Sequence, residues 1–240
     1  MTLKNARIAV SVITGLLLAA IGAVFILLQP RASNETPPSK ATIPVAPVDL
    51  TAAYTTPASY FDQITSFPAW KTVPRGEQVF NHVTFQIGGM ICLWGGGNAS
   101  AGLVFPESRP GIPMHQKFDK LYLLHGAFYT SPPGSPVYEI VFRYADDSSA
   151  TNQILYGDDV LDWYTSRGRP VAGPTGPNSQ LAWHGDNSGD AAVQPVRFCM
   201  TAVKNPQPLT EVRSIDLYSS KGRSAACILA FSTTVSKEAK

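Results

Sequence analysis

The chain has 240 residues, enough for one domain of about 180 residues with a sizeable core once an N-terminal segment is set aside. Its formal charge of +2 comes from the first 31 residues: without Lys4, Arg7 and Arg31 the remainder holds 16 basic against 17 acidic residues. With no basic cluster, this balance argues against nucleic acid as a partner. Charged residues make up only 15 % of the chain, and 19 Gly and 20 Pro give it a turn-rich, β-leaning composition.

From the N-terminus, Ile8 to Leu28 is a stretch without a charged residue, polar only at Ser11 and Thr14. At roughly 1.5 Å per residue, a helix of that length crosses about 30 Å of hydrocarbon. Lys4 and Arg7 precede it, which predicts a cytoplasmic N-terminus and an exported C-terminal domain, periplasmic or extracellular. The run ends in Phe25-Ile26-Leu27-Leu28-Gln29-Pro30 with no Ala-x-Ala exit, so an uncleaved anchor in the lipid bilayer is expected over a signal peptide. Gly15, Ala19 and Ala23 keep a small-x-x-x-small register, read as ordinary membrane-helix composition. Gln29 to Ser59, with six prolines among Ser, Thr and Ala, is expected to be a semi-extended tether, and the folded domain is expected over 60–240.

Strand signals then recur. Tyr60 to Ile64 reads as a short helical turn. Val83 to Ile87 alternates with Val83, Phe85 and Ile87 on one face, and Met90 to Trp94 is apolar on both faces before a turn at Gly95-Gly96-Gly97-Asn98. Lys120 to Phe128 is apolar on both sides, the pattern of a central covered strand. Val137 to Tyr144 and Ala150 to Tyr156 flank the turn 145–148 as a hairpin. Val196 to Val203, Val212 to Tyr218 and Ala225 to Thr233 supply three more strands. No stretch after Leu28 keeps a 3.6-residue period, so the fold class is all-β: a two-sheet sandwich of jelly-roll type behind one transmembrane helix.

Sequence motifs for catalysis are lacking: there is no Gly-x-Ser-x-Gly, His-Glu-x-x-His or P-loop, and a non-catalytic protein without cofactor is expected, with an exported hydrolase as the trailing alternative. Cys92, Cys199 and Cys227 each sit in an apolar run and read as buried thiols, with a Cys199–Cys227 bridge open if their strands are neighbours. His125, mid-strand among apolar residues, reads as a core histidine whose ring nitrogens need partners. Asp158, Asp159 and Asp162 are a weak calcium pattern, with solvated loop acids as the favoured reading. Trp163 and the run Trp183-His184-Gly185-Asp186-Asn187 are the candidate ligand residues, because sugar faces stack on aromatic rings while Asp, Asn and His hold hydroxyls. Core packing of both tryptophans is the favoured reading. Asn34 and Asn98 head chance sequons.

A series of short motifs runs from Arg75 to Phe231: Phe85-Gln-Ile87, Gly111-Ile-Pro113, Leu123-Leu-His-Gly-Ala127, Arg143-Tyr-Ala-Asp146, Tyr156-Gly157, Asp162-Trp163, Ala182-Trp183, Asn205-Pro206 and Ile215. This series resembles bacterial exported domains of the galactose-binding-like jelly-roll kind. The resemblance implies a non-catalytic module with carbohydrate binding as its ligand class. The Gly- and Pro-rich insert from Gly168 to Gln180 departs from the pattern. Two partner classes follow as expectations, an envelope glycan and a membrane-protein partner, the latter for a structural or adaptor subunit.

Overall fold

The computed structural model describes residues 44–61, 71–165, 170–185 and 196–234. The expected anchor, residues 29–43 of the expected tether, and Asp186 and Asn187 lie outside the described residues. Among those described, no helix is long and apolar enough to cross a membrane.

The elements in chain order are β1 (Val45–Pro47), β2 (Thr56–Pro57), α1 (Ala58–Phe61), β3 (Gly76–Phe80), β4 (Val83–Ile87), β5 (Gly89–Cys92), α2 (Gly96–Ser100) and β6 (Ser108–Gln116). They continue with β7 (Lys120–Phe128), β8 (Pro136–Tyr144), β9 (Ser149–Leu155), β10 (Ser179–His184), β11 (Arg197–Lys204), β12 (Val212–Ser219) and β13 (Ala225–Thr234). One sheet runs β10-β11-β7-β13-β5-β2, with β1 also paired to β13. A second runs β6-β12-β8-β9, and β3-β4 is a separate hairpin. The described residues form an all-β sandwich.

Burial explains the layering. On β7, Leu121 and Leu123 join the core between the two large sheets, whereas Tyr122 and Leu124 join a second core on the opposite face. The second core is roofed by the β3–β4 hairpin through Val83, Phe85 and Ile87. A strand buried on both faces must be largely apolar, as β7 is from Leu121 to Ala127 apart from His125. Strand β8 needs only one apolar face: Tyr138, Ile140, Phe142 and Tyr144 point into the first core, while Glu139 and Arg143 do not.

β13 carries the most consequential irregularity. Its register against β7 shifts between Ile228 and Ala230, leaving Leu229 as an extra residue. Before the bulge Ala226 and Ile228 face the inter-sheet core; after it that role passes to Phe231. Leu229 and Ala230 both face the hairpin side.

Several elements differ from the sequence expectation. Residues 45–59 belong to the fold instead of a tether: β1 pairs with β13, and Val48, Leu50 and Ala53 are buried in the inter-sheet core. Strand β6 was masked in sequence by Pro110, Gly111 and Pro113. It is a bulged edge strand, the setting in which Pro and Gly are tolerated, and it is pinned where Gly111 N–H donates to Asp216 at 2.8 Å. Asp216 also accepts from Arg143 Nε at 2.8 Å and Tyr218 Oη at 3.2 Å. Strands β3 and β10 were likewise unforeseen. The glycine run expected as a plain turn starts the one-turn helix α2 instead.

That glycine run serves close approach. Gly96 N–H donates to Gly222 O at 2.9 Å and Gly97 N–H to Arg223 O at 3.0 Å. A Cβ on Gly95 would sit 2.6–2.8 Å from Ala225, including its backbone, whereas one on Gly96 would find nothing nearer than 3.5 Å. Gly95→Ala should therefore destabilise the protein by about 1–3 kcal/mol through overpacking, and Gly96→Ala by much less. Urea unfolding of the two variants side by side checks this; equal losses contradict the steric account.

Candidate functional site

His125 stands at the centre of a buried polar chain linking the two sheets. Its Nδ1 lies 2.8 Å from Tyr138 Oη on β8, and its Nε2 lies 2.8 Å from Thr201 Oγ1 on β11. Thr201 donates to Asp159 O at 2.9 Å, which leaves Nε2–H as donor to Thr201 and Nδ1 as acceptor from Tyr138. Ser179 Oγ touches Thr201 Oγ1 at 2.9 Å and donates to Asp159 Oδ1 at 3.1 Å; Asp159 Oδ2 accepts from Leu155 N–H at 2.9 Å. Burial pushes the His125 pKa down to about 3, so the ring is neutral, and burial pushes the Tyr138 hydroxyl up. The histidine is a satisfied core residue that ties the layers together.

The three aspartates do not converge. Asp158 Oδ1 accepts from Thr175, Asp159 is spent as above, and Asp162 Oδ1 accepts from Tyr164 N–H at 3.1 Å. Among the described residues no group of three His, Cys, Asp or Glu side chains could hold a metal ion. Burial raises the Asp162 pKa to about 6, opposed by the Tyr164 N–H and the Arg197 charge.

The expected ligand residues divide between interior and surface. Trp163 is 6 % exposed and packs edge-on against Phe128, with ring centroids 5.8 Å apart. Trp183 is half-buried, stacked on Phe198 at 5.9 Å. Trp163 belongs to the buried core under the hairpin, while Trp183 packs against that core and stays half-buried. His184 is exposed at the end of β10, and Asp186 and Asn187 lie outside the described residues. Asn98 is 2 % exposed, which removes its sequon as a glycan acceptor.

The cysteines are all buried and free. The Cys199–Cys227 bridge does not fit: β7 separates their strands, with Cys199 opposite His125 and Cys227 opposite Gly126. Two strand spacings, about 9–10 Å, exceed the Cα separation a disulfide spans.

Hollows on the surface of the described residues offer other places for a ligand. A cleft of about 490 Å³ follows the edge of β6, lined by Asp49, Arg109, Ile112, Met114 and His115 among others. Within it Arg109 already donates to Ala52 O. A second hollow of about 580 Å³ lies beside α2, lined by Gly96, Gly97, Ser100, Ala101, Tyr129 and Arg223. Tyr129 adopts φ 65, a strained conformation for a non-glycine residue. Its ring lies so close over Gly97 that a Cβ there would meet it at 2.5 Å. Sequence reasoning missed Tyr129: it follows a strand end with no motif of its own, and only the neighbouring glycine run hinted at a close approach.

His125 and Asp162 impose opposite pH dependences. The unfolded histidine, with its ordinary value of 6.5, binds a proton that the folded one refuses down to about 3, so this stability is complete above pH 6.5 and is lost as pH falls. Folded Asp162 holds its proton up to about 6 against 3.8 unfolded, so its contribution is lost as pH rises through that window. Each slope is about 1.4 kcal/mol per pH unit, and between about pH 4 and 6 the two cancel. Asp162→Asn should uncover the histidine slope, with stability climbing by about 3 kcal/mol from pH 4 to 6 where the parent protein gains little. Urea midpoints across that range decide it; parallel curves for the two proteins exclude the assignment.

No protein-family model, no curated protein and no solved structure matches this chain.

Proposed function

We propose that this chain is a membrane-tethered, extracytoplasmic binding module that holds a cell-envelope polysaccharide on the surface of its sandwich and performs no covalent chemistry on it. The apolar run Ile8–Leu28 and its basic N-terminal flank support the tethering and the orientation. The finer fold reading is a jelly roll, supported by the strand orders β5-β13-β7-β11 and β6-β12-β8-β9, the arrangement of two wound Greek keys. This agrees with the resemblance to galactose-binding-like domains.

The single observation that carries the ligand class is Tyr129. A strained aromatic residue is fixed on glycine backbone at the floor of a hollow, with the exposed Arg223 and Ser100 beside it. An aromatic ring takes the C–H face of a sugar, while a guanidinium and a hydroxyl hold oxygens around it. Trp163, spent in the core, is replaced in this role.

A second reading, an adaptor subunit docking a membrane protein, rests on the loop after α2. There Leu103 is 51 % exposed and Val104 77 % exposed, next to Phe105 stacked on Phe128 at 6.1 Å.

The test uses the full chain in lipid nanodiscs, titrated with soluble fragments of envelope polysaccharides. Tyr129→Ala should weaken binding about tenfold, equal to ~1.4 kcal/mol, and Arg223→Gln should weaken it for acidic polysaccharides above neutral ones. Melting temperatures measured alongside separate lost binding from lost fold. Unchanged affinity in a folded Tyr129→Ala protein removes the polysaccharide site. Loss of a cross-linked membrane-protein partner in Val104→Asp would instead favour the adaptor.

A further inference from the structure

We propose that Cys92 and Cys227 form a disulfide that closes while the chain folds in the presence of a disulfide oxidant, and that Cys199 remains a thiol. Cys92 on β5 lies directly opposite Cys227 on β13. The backbone shows which type of antiparallel pair this is. Leu93 N–H donates to Ala226 O, whereas Cys92 N–H turns away from β13 and donates to Thr55 Oγ1 at 2.8 Å. Cys92 and Cys227 are therefore a non-hydrogen-bonded pair, the closer of the two types, with Cα atoms about 4.5 Å apart and side chains on one face. That spacing lies within the range a disulfide bridges. Both side chains enter the core beneath the β3–β4 hairpin.

Cys199 has no such option. Its strand neighbours Phe198 and Met200 face the hairpin-side core, so Cys199 faces the opposite layer, one strand further away.

The chemistry balances with an oxidant of the disulfide class, either an oxidised dithiol oxidoreductase or a small-molecule disulfide. One cysteine thiolate attacks a sulfur of the oxidant, forming a mixed disulfide and releasing one reduced sulfur. The second cysteine displaces the other, so two electrons and two protons leave the protein. In the folded protein both thiols are sealed. Burial pushes Cys92 up to about 12 and Cys227 well above its ordinary value, which leaves almost no thiolate to react. The bond is consequently made before the hairpin closes over the pair, and once made it is shielded from reductants. The inference rests on the proposed export only for where the oxidant is met.

The full-length chain, reduced and denatured, is refolded in detergent with a mixture of reduced and oxidised glutathione, then alkylated, digested and mapped by mass spectrometry. The expected product has one linked peptide pair containing Cys92 and Cys227, alkylated Cys199, and a melting temperature about 5–10 °C above the reduced form. Cys199→Ser should keep the link, and Cys92→Ser should abolish it. The same oxidant added to folded, reduced protein should leave all three cysteines alkylatable after unfolding. Three alkylated cysteines after oxidative refolding, or a link that includes Cys199, overturns the proposal. Thiol trapping in intact cells reads the same pair without refolding. If the pair links on refolding yet stays reduced in cells, with the domain protected from protease added to spheroplasts, the export reading fails and the disulfide pair stands.

Discussion

The whole architecture answers to the double burial of β7 and β13. A sheet whose central strands are apolar on both faces cannot present either face to water, so it requires two covers. The four-stranded sheet supplies one and the β3–β4 hairpin the other. The unequal size of the covers follows from what lies beneath them. The inter-sheet core runs the length of β7 and β13, from Leu121 to Ala127 and from Ala226 to Phe231, and needs a full sheet above it. The second face is shared between the hairpin and the aromatic residues of β11 and its flanks, among them Trp163, Trp183 and Phe198. Here the tryptophans act as roofing, with Trp163 sealed beneath it and Trp183 half-buried at its margin.

Within the larger core a polar thread centred on His125 crosses between sheets. Tyr138, His125, Thr201 and the Asp159 carbonyl satisfy one another in sequence, so each buried polar group meets a partner with directional demands. Apolar packing sets how close the sheets come, but it is tolerant of sliding; a hydrogen-bonded chain of defined length is not. The thread thus fixes one alignment of β8 over β7 and carries that alignment to Ser179 on β10.

What the sequence revealed depended on how each element is buried. Strands β4, β7, β8 and β11 to β13 were legible because burial on one or both faces writes an alternating or continuous apolar pattern. Strand β6 was not, since an edge strand accepts Pro110, Gly111 and Pro113, which read as loop. Residues 45–59 looked like tether because Pro47 and Pro57 dominate the composition, although Val48, Leu50 and Ala53 between them plug the side of the sandwich. His125 could be read as a core residue from its neighbours alone, but its partners come from strands 13 and 76 residues away. The role of Tyr129 depends on a glycine 32 positions earlier, a relation that no local pattern carries.

The bulge at Leu229 has a consequence for how this chain tolerates insertion and deletion. The two halves of β13 obey alternations that are out of phase by one position, and the extra residue is the joint between them. Losing one residue there, while the first half holds its place, would turn Phe231, Ser232 and Thr233 over together. A phenylalanine would exchange layers with a serine whose hydroxyl donates to Thr84 O at 2.5 Å in the hairpin. A length change in the connection between β9 and β10 shifts no such frame. The last strand, buried along nearly its whole length, is thus a part of the sandwich whose length is strictly held.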